Sequence, residues 1–258
     1  MIEGWDDKGK FDFIVAIWHI NQHLPPEKGI KIVAVDTPRP FSVFRSEKDM
    51  DSSDAKYDSN AYMAAKILTY LHATRDKRHM LFTVGTGHVF KTGLTAANQL
   101  SIKMPGDVYT IFTHAPRIEE GRKFYERLRH GAFDYAFLIS GDRPRVFELK
   151  NSPFGSEPFD ALFDEGDGSY ADNYDGYIYF GSLDKEPSQD IRFAEYDGPF
   201  ILEMDRRFRL LPSSLEAEWG IKALTREAVT KLLAEHSKTR WQSHLKPFIG
   251  AKTTAPGI

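Results

Sequence analysis

A histidine follows two glycines in the segment Gly85-Thr86-Gly87-His88. The segment comes directly after the apolar residues 80–84, which are typical of a buried strand, and ligands of parallel α/β proteins bind beyond the carboxyl ends of strands. Glycines there let the backbone turn tightly and approach a ligand, while a neutral imidazole accepts a proton from water or binds a metal. The segment predicts a site at His88; the alternative is a simple turn in which His88 caps the next helix.

Two carboxylates occupy comparable places in the sequence. Asp36 follows the apolar run at residues 32–35, and Glu3 follows what we interpret as the last residues of another strand. Acidic side chains at strand ends beside a histidine orient the imidazole, hold a substrate hydroxyl or complete a carboxylate–histidine metal set. We therefore expect both to assist the histidine, the alternative at each position being a loop carboxylate or a helix cap.

Other candidate ligands have weaker patterns. His19 and His23 lie four residues apart on a predicted helix, but without a third ligand a solvated pair is favoured over a metal site. His114 follows the predicted strand at residues 108–112 and is expected on the crevice side. The acidic loop at residues 163–169 lacks the closing glutamate of an EF-hand, which favours a solvated loop over a calcium site. We assign no metal ligands.

The candidate residues depend on an alternation of strands and helices. Helical spacing of apolar residues predicts helices, and short apolar runs predict strands. The helices are predicted at residues 11–24, 58–74, 94–100, 119–129 and 215–235, and the strands at residues 32–35, 80–84, 108–112 and 176–180. Two further segments, at residues 135–139 and 145–149, lie between the charged helix and a loop rich in Gly, Asp and Pro. The early alternation is typical of right-handed βαβ crossovers.

The predicted fold class is therefore α/β. We expect a mainly parallel sheet flanked by helices, with helical and loop additions in the C-terminal half. The sequence indicates a single domain, with a core over about residues 1–180 and an extension over about residues 181–258. The aromatic residues, which include 19 Phe and 11 Tyr, fall mostly at helix or strand spacing and are expected to pack in the core.

Composition limits the classes of function. The net charge of -3 gives no basis for counterion release, so we expect no nucleic-acid partner. The absence of cysteine excludes disulfides, thiolate zinc sites, iron–sulfur clusters and cysteine nucleophiles. No Gly-x-Ser-x-Gly elbow is present, which disfavours a serine hydrolase. Without a signal peptide or a bilayer-length apolar run, the chain is predicted to be cytoplasmic, with no membrane span.

Several segments together resemble the erythromycin esterase-like proteins and their relatives in the Tiki superfamily, which includes haem-binding uptake proteins. The resembling segments, in order, are Ile2-Glu3-Gly4, the helix ending in Asn21, Val33-Ala34-Val35-Asp36, Asp58-Ser59-Asn60-Ala61-Tyr62-Met63-Ala64, the His88 segment and Asn173-Tyr174-Asp175-Gly176-Tyr177-Ile178. Their order through about the first 180 residues is more telling than any single segment.

The resemblance implies an α/β core with helical additions, in which histidines activate water to attack an ester without requiring a metal. It implies that His88 is a site histidine and that Asn60 begins a pocket-facing helix. We assign catalysis to His88, Glu3 and Asp36, and contact with a small-molecule substrate to Asn60, Gly85, Gly87 and His114.

Two other functions stay open at this point. A haem- or metal-binding module of the Tiki superfamily would use His88 as a ligand without hydrolysis. A surface-interaction domain would use the charged helix predicted at residues 119–129. The sequence determines neither a cofactor, nor the substrate, nor the oligomeric state.

Two departures distinguish this chain from the family pattern. Ser59 stands where the family helix has an arginine, so a cation that would hold an anionic group or orient a carboxylate is missing. The Gly-Glu-x-His segment that the family places before Glu3 has no counterpart in this sequence. With half of the acid/base pair absent, we expect an in-frame upstream extension if the protein is an enzyme, and otherwise a binding module or an inactive hydrolase.

Overall fold

The computed structural model describes residues 8–46, 48–49, 52, 56–74, 79–118, 125–160, 168–185, 198–210, 225 and 227. The helices are α1 (Lys8–Asn21), α2 (Ser59–Thr74), α3 (Ala96–Lys103), α4 (Ala132–Ile139), α5 (Tyr170–Asn173) and α6 (Gly198–Phe208). The strands are β1 (Ile111–Thr113), β2 (Arg117–Ile118), β3 (Tyr125–Glu126), β4 (Arg145–Glu148) and β5 (Gly176–Tyr179). Helices and strands are thus combined, as the sequence predicts.

Two compact units are distinguished by packing within these residues. The first includes α1, the residues that follow it up to 57, and α6; the second includes the described residues from 58 to 185. The division into a core up to about residue 180 and an extension stays a prediction. None of the helices in the described ranges has the length and apolar content needed to cross a lipid bilayer.

In the first unit, side-chain hydrogen bonds hold the end of α1 and the helix α6. The side-chain amide of Asn21 donates to the carbonyl of Ile30 at 2.9 Å and accepts from its N–H at 2.8 Å. Phe44 and Leu210 are buried against each other, and the Arg206 guanidinium donates to the carbonyl of Phe44 at 3.3 Å. Helix α6 is therefore held against the turn that precedes residue 45.

The second unit is built on a three-stranded sheet with β5 at its centre. β1 runs parallel to β5 with Phe112 opposite Tyr177, and β4 runs antiparallel with Phe147 opposite the same tyrosine. The sheet is therefore mixed, with one parallel and one antiparallel pairing. The short hairpin of β2 and β3 is fastened by an ion pair between Arg117 and Glu126.

An aromatic core lies on one face of this sheet. The Phe137 ring stacks on Tyr179 with centroids 3.8 Å apart, and Phe147 stacks on Tyr177 at 5.3 Å. The buried members are Phe112, Leu128, Phe133, Phe137, Leu149, Phe159, Tyr170, Tyr174, Tyr177 and Tyr179. The expectation that aromatic residues pack in the core is confirmed in this unit.

Five predicted elements are confirmed with bounds shifted by at most three residues, namely α1, α2, α3, β1 and β5. The apolar run at residues 135–139 belongs to α4, and residues 145–148 form β4. A helix that begins at Ala132 buries Phe133 and Phe137, which lie four residues apart on one side. Strand alternation would instead bury Tyr135 together with Phe137, whereas Tyr135 is 47% exposed.

The runs at residues 32–35 and 80–84 form no strand pairing among the described residues, and Leu81 is 72% exposed. A strand is stabilised by its ladder partner and by packing across the sheet, neither of which an apolar run supplies by itself. The helix predicted at residues 119–129 is wrong over its last part, where β3 and a 3-10 turn occur. Residues 119–124 and most of the helix predicted at residues 215–235 lie outside the described residues.

Candidate functional site

His88 ends a one-turn 3-10 helix, Thr86–His88, that follows an extended Gly85. The backbone N–H of His88 donates to the carbonyl of Gly85 at 3.0 Å, and the imidazole is half-buried. A Cβ added to Gly85 would meet only Cδ2 of the imidazole, at 3.8 Å, and one added to Gly87 would meet nothing within 4 Å. Neither glycine has a positive φ, so the fold does not require glycine here.

Asn60 approaches His88 from the first turn of α2. The carboxylate of Asp58 accepts from the N–H of Ala61 at 3.0 Å and so caps this helix. Asn60 Oδ1 then lies 2.8 Å from His88 Nδ1 and 3.0 Å from the backbone nitrogen of Ala96, the first residue of α3. Asn60 and His88, both predicted from the sequence as site residues, are thus in contact, and the same Asn60 oxygen also reaches the start of α3.

The chain that follows His88 is anchored to the start of β5. Lys91 donates its backbone N–H to the carbonyl of Asn173 at 3.0 Å, and its ammonium pairs with the Asp175 carboxylate. Asp175 also accepts from the Thr110 N–H at 2.8 Å. Burial opposes ionisation of Asp175, but the hydrogen bonds from Lys91 and Thr110 outweigh it and hold the pKa below its usual value.

This anchor was not found from the sequence. Lys91 and Asp175 lie 84 residues apart, so no local spacing connects them. In the sequence, Asp175 carries a signal only as part of the segment at residues 173–178. The tertiary fold, rather than a motif, makes these residues hold the His88 turn in place.

His114 lies in the aromatic core of the second unit. Its N–H donates to the Ile178 carbonyl at 2.8 Å, and its Nδ1 lies 2.5 Å from the Tyr177 hydroxyl. Its Nε2 lies 3.5 Å from Asp134 Oδ1, the atom that also accepts from Arg127 at 2.6 Å. Burial opposes ionisation of Asp134, but His114 and Arg127 outweigh it and lower the pKa. The structure thus places His114 in a buried polar cluster.

The other candidate residues lie in the first unit or outside the described residues. Asp36 lies exposed in the first unit and accepts from the N–H of Thr37 at 2.7 Å, as a turn carboxylate does. Glu3 and residues 163–167 lie outside the described residues. His19 and His23 are exposed, and across the described ranges no three acidic or histidine side chains are grouped so as to hold a metal ion.

No family model, curated protein or solved structure matches this chain.

Proposed function

We propose that His88 is the water-activating base of a hydrolase that cleaves an ester or a related bond in a small molecule, as in the erythromycin esterase-like proteins that the sequence resembles. One observation carries the proposal. His88 Nδ1 is held 2.8 Å from Asn60, whereas among the described residues no donor or acceptor contacts Nε2. An imidazole held through one nitrogen, with the other available, is suited to accept a proton from water.

The proposed reaction uses the lone pair of His88 Nε2. Nε2 of His88 takes a proton from water while the water oxygen forms a bond to the ester carbonyl carbon. The resulting tetrahedral species expels the alkoxide, which takes the proton back from the imidazolium, so that an acid and an alcohol leave. The cytoplasmic location and the small-molecule substrate belong to the same proposal. The roles of Glu3 and Asp36 stay predictions.

The first test is ester hydrolysis by the chain and by His88→Ala. We expect kcat/KM for a p-nitrophenyl ester to fall about 10²–10⁴-fold, the usual contribution of a positioned acid–base group. His72→Ala is the matched control, because His72 is exposed on α2, and it should keep the full rate. Equal rates for the chain and His88→Ala would contradict the proposal. A rate lost on adding a chelator would indicate instead that His88 belongs to a metal site.

A second test adds a methyl group beside the imidazole. We expect Gly85→Ala to raise KM roughly tenfold, which corresponds to about 1.4 kcal/mol of substrate binding. The new methyl would lie 3.8 Å from Cδ2, the ring carbon bonded to Nε2. Because Gly85 has an ordinary extended φ of -61, the Tm should not fall. An unchanged KM with an unchanged Tm would place the substrate elsewhere.

A further inference from the structure

The orientation of the Asn60 amide is fixed by the backbone of α3. The N–H of Ala96 is only a donor, so the Asn60 atom 3.0 Å from it must be the amide oxygen. If the Asn60 amide turned over, the Ala96 N–H would lose its acceptor. Ala96 is 0% exposed, so bulk water could not take the place of that acceptor. The oxygen of Asn60 is therefore held in place.

This orientation determines which nitrogen of the His88 ring carries the hydrogen. The same oxygen lies 2.8 Å from Nδ1 and offers only lone pairs, so Nδ1 must carry the hydrogen in this contact. In a neutral imidazole the other nitrogen then has the lone pair. Free histidine favours the opposite tautomer, with the hydrogen on Nε2, so the Asn60 contact opposes the intrinsic preference.

We propose that Asn60 is a positioning residue that selects the Nδ1–H tautomer of His88 and thereby leaves the Nε2 lone pair to accept a proton. The use of that lone pair rests on the proposed function, but the tautomer does not. This role differs from the substrate contact that the sequence suggests for Asn60. In this role Asn60 acts from the first turn of α2, and the first turn of α3 holds its oxygen in place. The two helices pack together.

A purely structural role for Asn60 predicts a different outcome. The start of α3 already has a cap, because the Thr95 hydroxyl accepts from the N–H of Asn98 at 3.1 Å. If Asn60 only added to this capping, its loss would affect folding and leave the imidazole tautomer unchanged. Thr95→Ala removes a cap from the same helix without touching His88 and is the matched control.

The test is the ¹⁵N spectrum of the His88 ring at alkaline pH, in the full chain labelled at histidine. We expect a pyrrole-type Nδ1 and a pyridine-type Nε2 in the unsubstituted chain, in Thr95→Ala and in Asn60→Asp, which keeps an acceptor oxygen. In Asn60→Leu the assignment should reverse, with the hydrogen mainly on Nε2. A pyridine-type Nδ1 in the unsubstituted chain, or an unchanged tautomer in Asn60→Leu, would overturn the proposal.

Kinetics provide the second measurement. Asn60→Leu should lower kcat for ester hydrolysis a few-fold, because less of the ring carries its hydrogen on Nδ1, whereas Asn60→Asp should keep kcat close to that of the unsubstituted chain. The acid limb of the pH profile should move to higher pH in Asn60→Asp, because a carboxylate beside Nδ1 favours the imidazolium. If the spectra are as expected but the chain hydrolyses no ester, the proposed hydrolase is refuted and the tautomer assignment is kept. A lowered kcat in Asn60→Leu with the tautomer unchanged would refute the positioning role alone.

Discussion

Phe137→Ala is expected to destabilise the unit formed by residues 58–185 by about 3–5 kcal/mol. The Phe137 side chain is 3% exposed, stacks on Tyr179 and packs against Phe154 with centroids 5.0 Å apart. Its removal takes a ring from the middle of the aromatic core and leaves a cavity that the neighbouring rings fill only in part. The midpoint of urea unfolding, followed by tyrosine fluorescence and circular dichroism, measures the loss.

Two neighbours on the same helix are the controls for this variant. The side chains of Tyr135 and Ile139 are exposed in α4, so their replacement by alanine should change stability by no more than about 0.5 kcal/mol. In a strand, residues 135, 137 and 139 would share one face and one environment. Equal losses at all three positions would therefore contradict α4 and indicate a strand.

The sequence pattern alone does not decide between a helix and a strand over α4. A run of five apolar residues satisfies a buried strand and a buried helix equally, so periodicity alone does not distinguish them. In β5 the run is rich in tyrosine, begins at Gly176 and is followed by Gly181, which favours a strand. Ala136 and Leu138 favour a helix instead. The packing of Phe137 against its partners then determines that the run is helical.

The site could be predicted only where its residues carry their own signal. The glycines beside His88 mark a turn whether or not residues 80–84 pair as a strand, so the turn could be predicted although the described residues show no strand pairing there. Asn60 lies 28 residues from His88, and no local spacing predicts the contact between them. Lys91, Thr110 and Asp175 act through tertiary contacts that leave no sequence pattern.

Arg127→Leu is expected to cost about 3–5 kcal/mol of folding free energy, because it leaves a buried carboxylate without its cation. The Arg127 guanidinium donates to Asp134 and to Asp184, at 2.6 Å in each case. Asp184 is exposed and regains water, whereas the Asp134 side chain stays buried among aromatic rings. Urea unfolding measures the cost. Arg145→Leu is the matched control, since Arg145 is exposed on β4, and should cost less than about 1 kcal/mol.

A double variant separates loss of the ion pair from loss of packing. If the buried charge causes the destabilisation, Arg127→Leu combined with Asp134→Leu should recover most of the stability, because no unpaired carboxylate remains in the core. Additive losses in the double variant would show instead that the arginine stem, rather than its charge, is what the core requires.

The pH dependence of the free energy of unfolding tests the same contact between Arg127 and Asp134. In the unsubstituted chain the pKa of Asp134 lies below its usual value, since His114 and Arg127 outweigh burial. Its carboxylate therefore stabilises the fold above the unfolded pKa of about 3.9, and this contribution is lost as the pH falls through the folded pKa. In Arg127→Leu the loss of this cation should raise that pKa, so the variant should lose less stability than the unsubstituted chain on acidification. The difference between the two proteins should be largest at neutral pH and shrink towards acid pH; a difference that is constant with pH would assign the cost to packing.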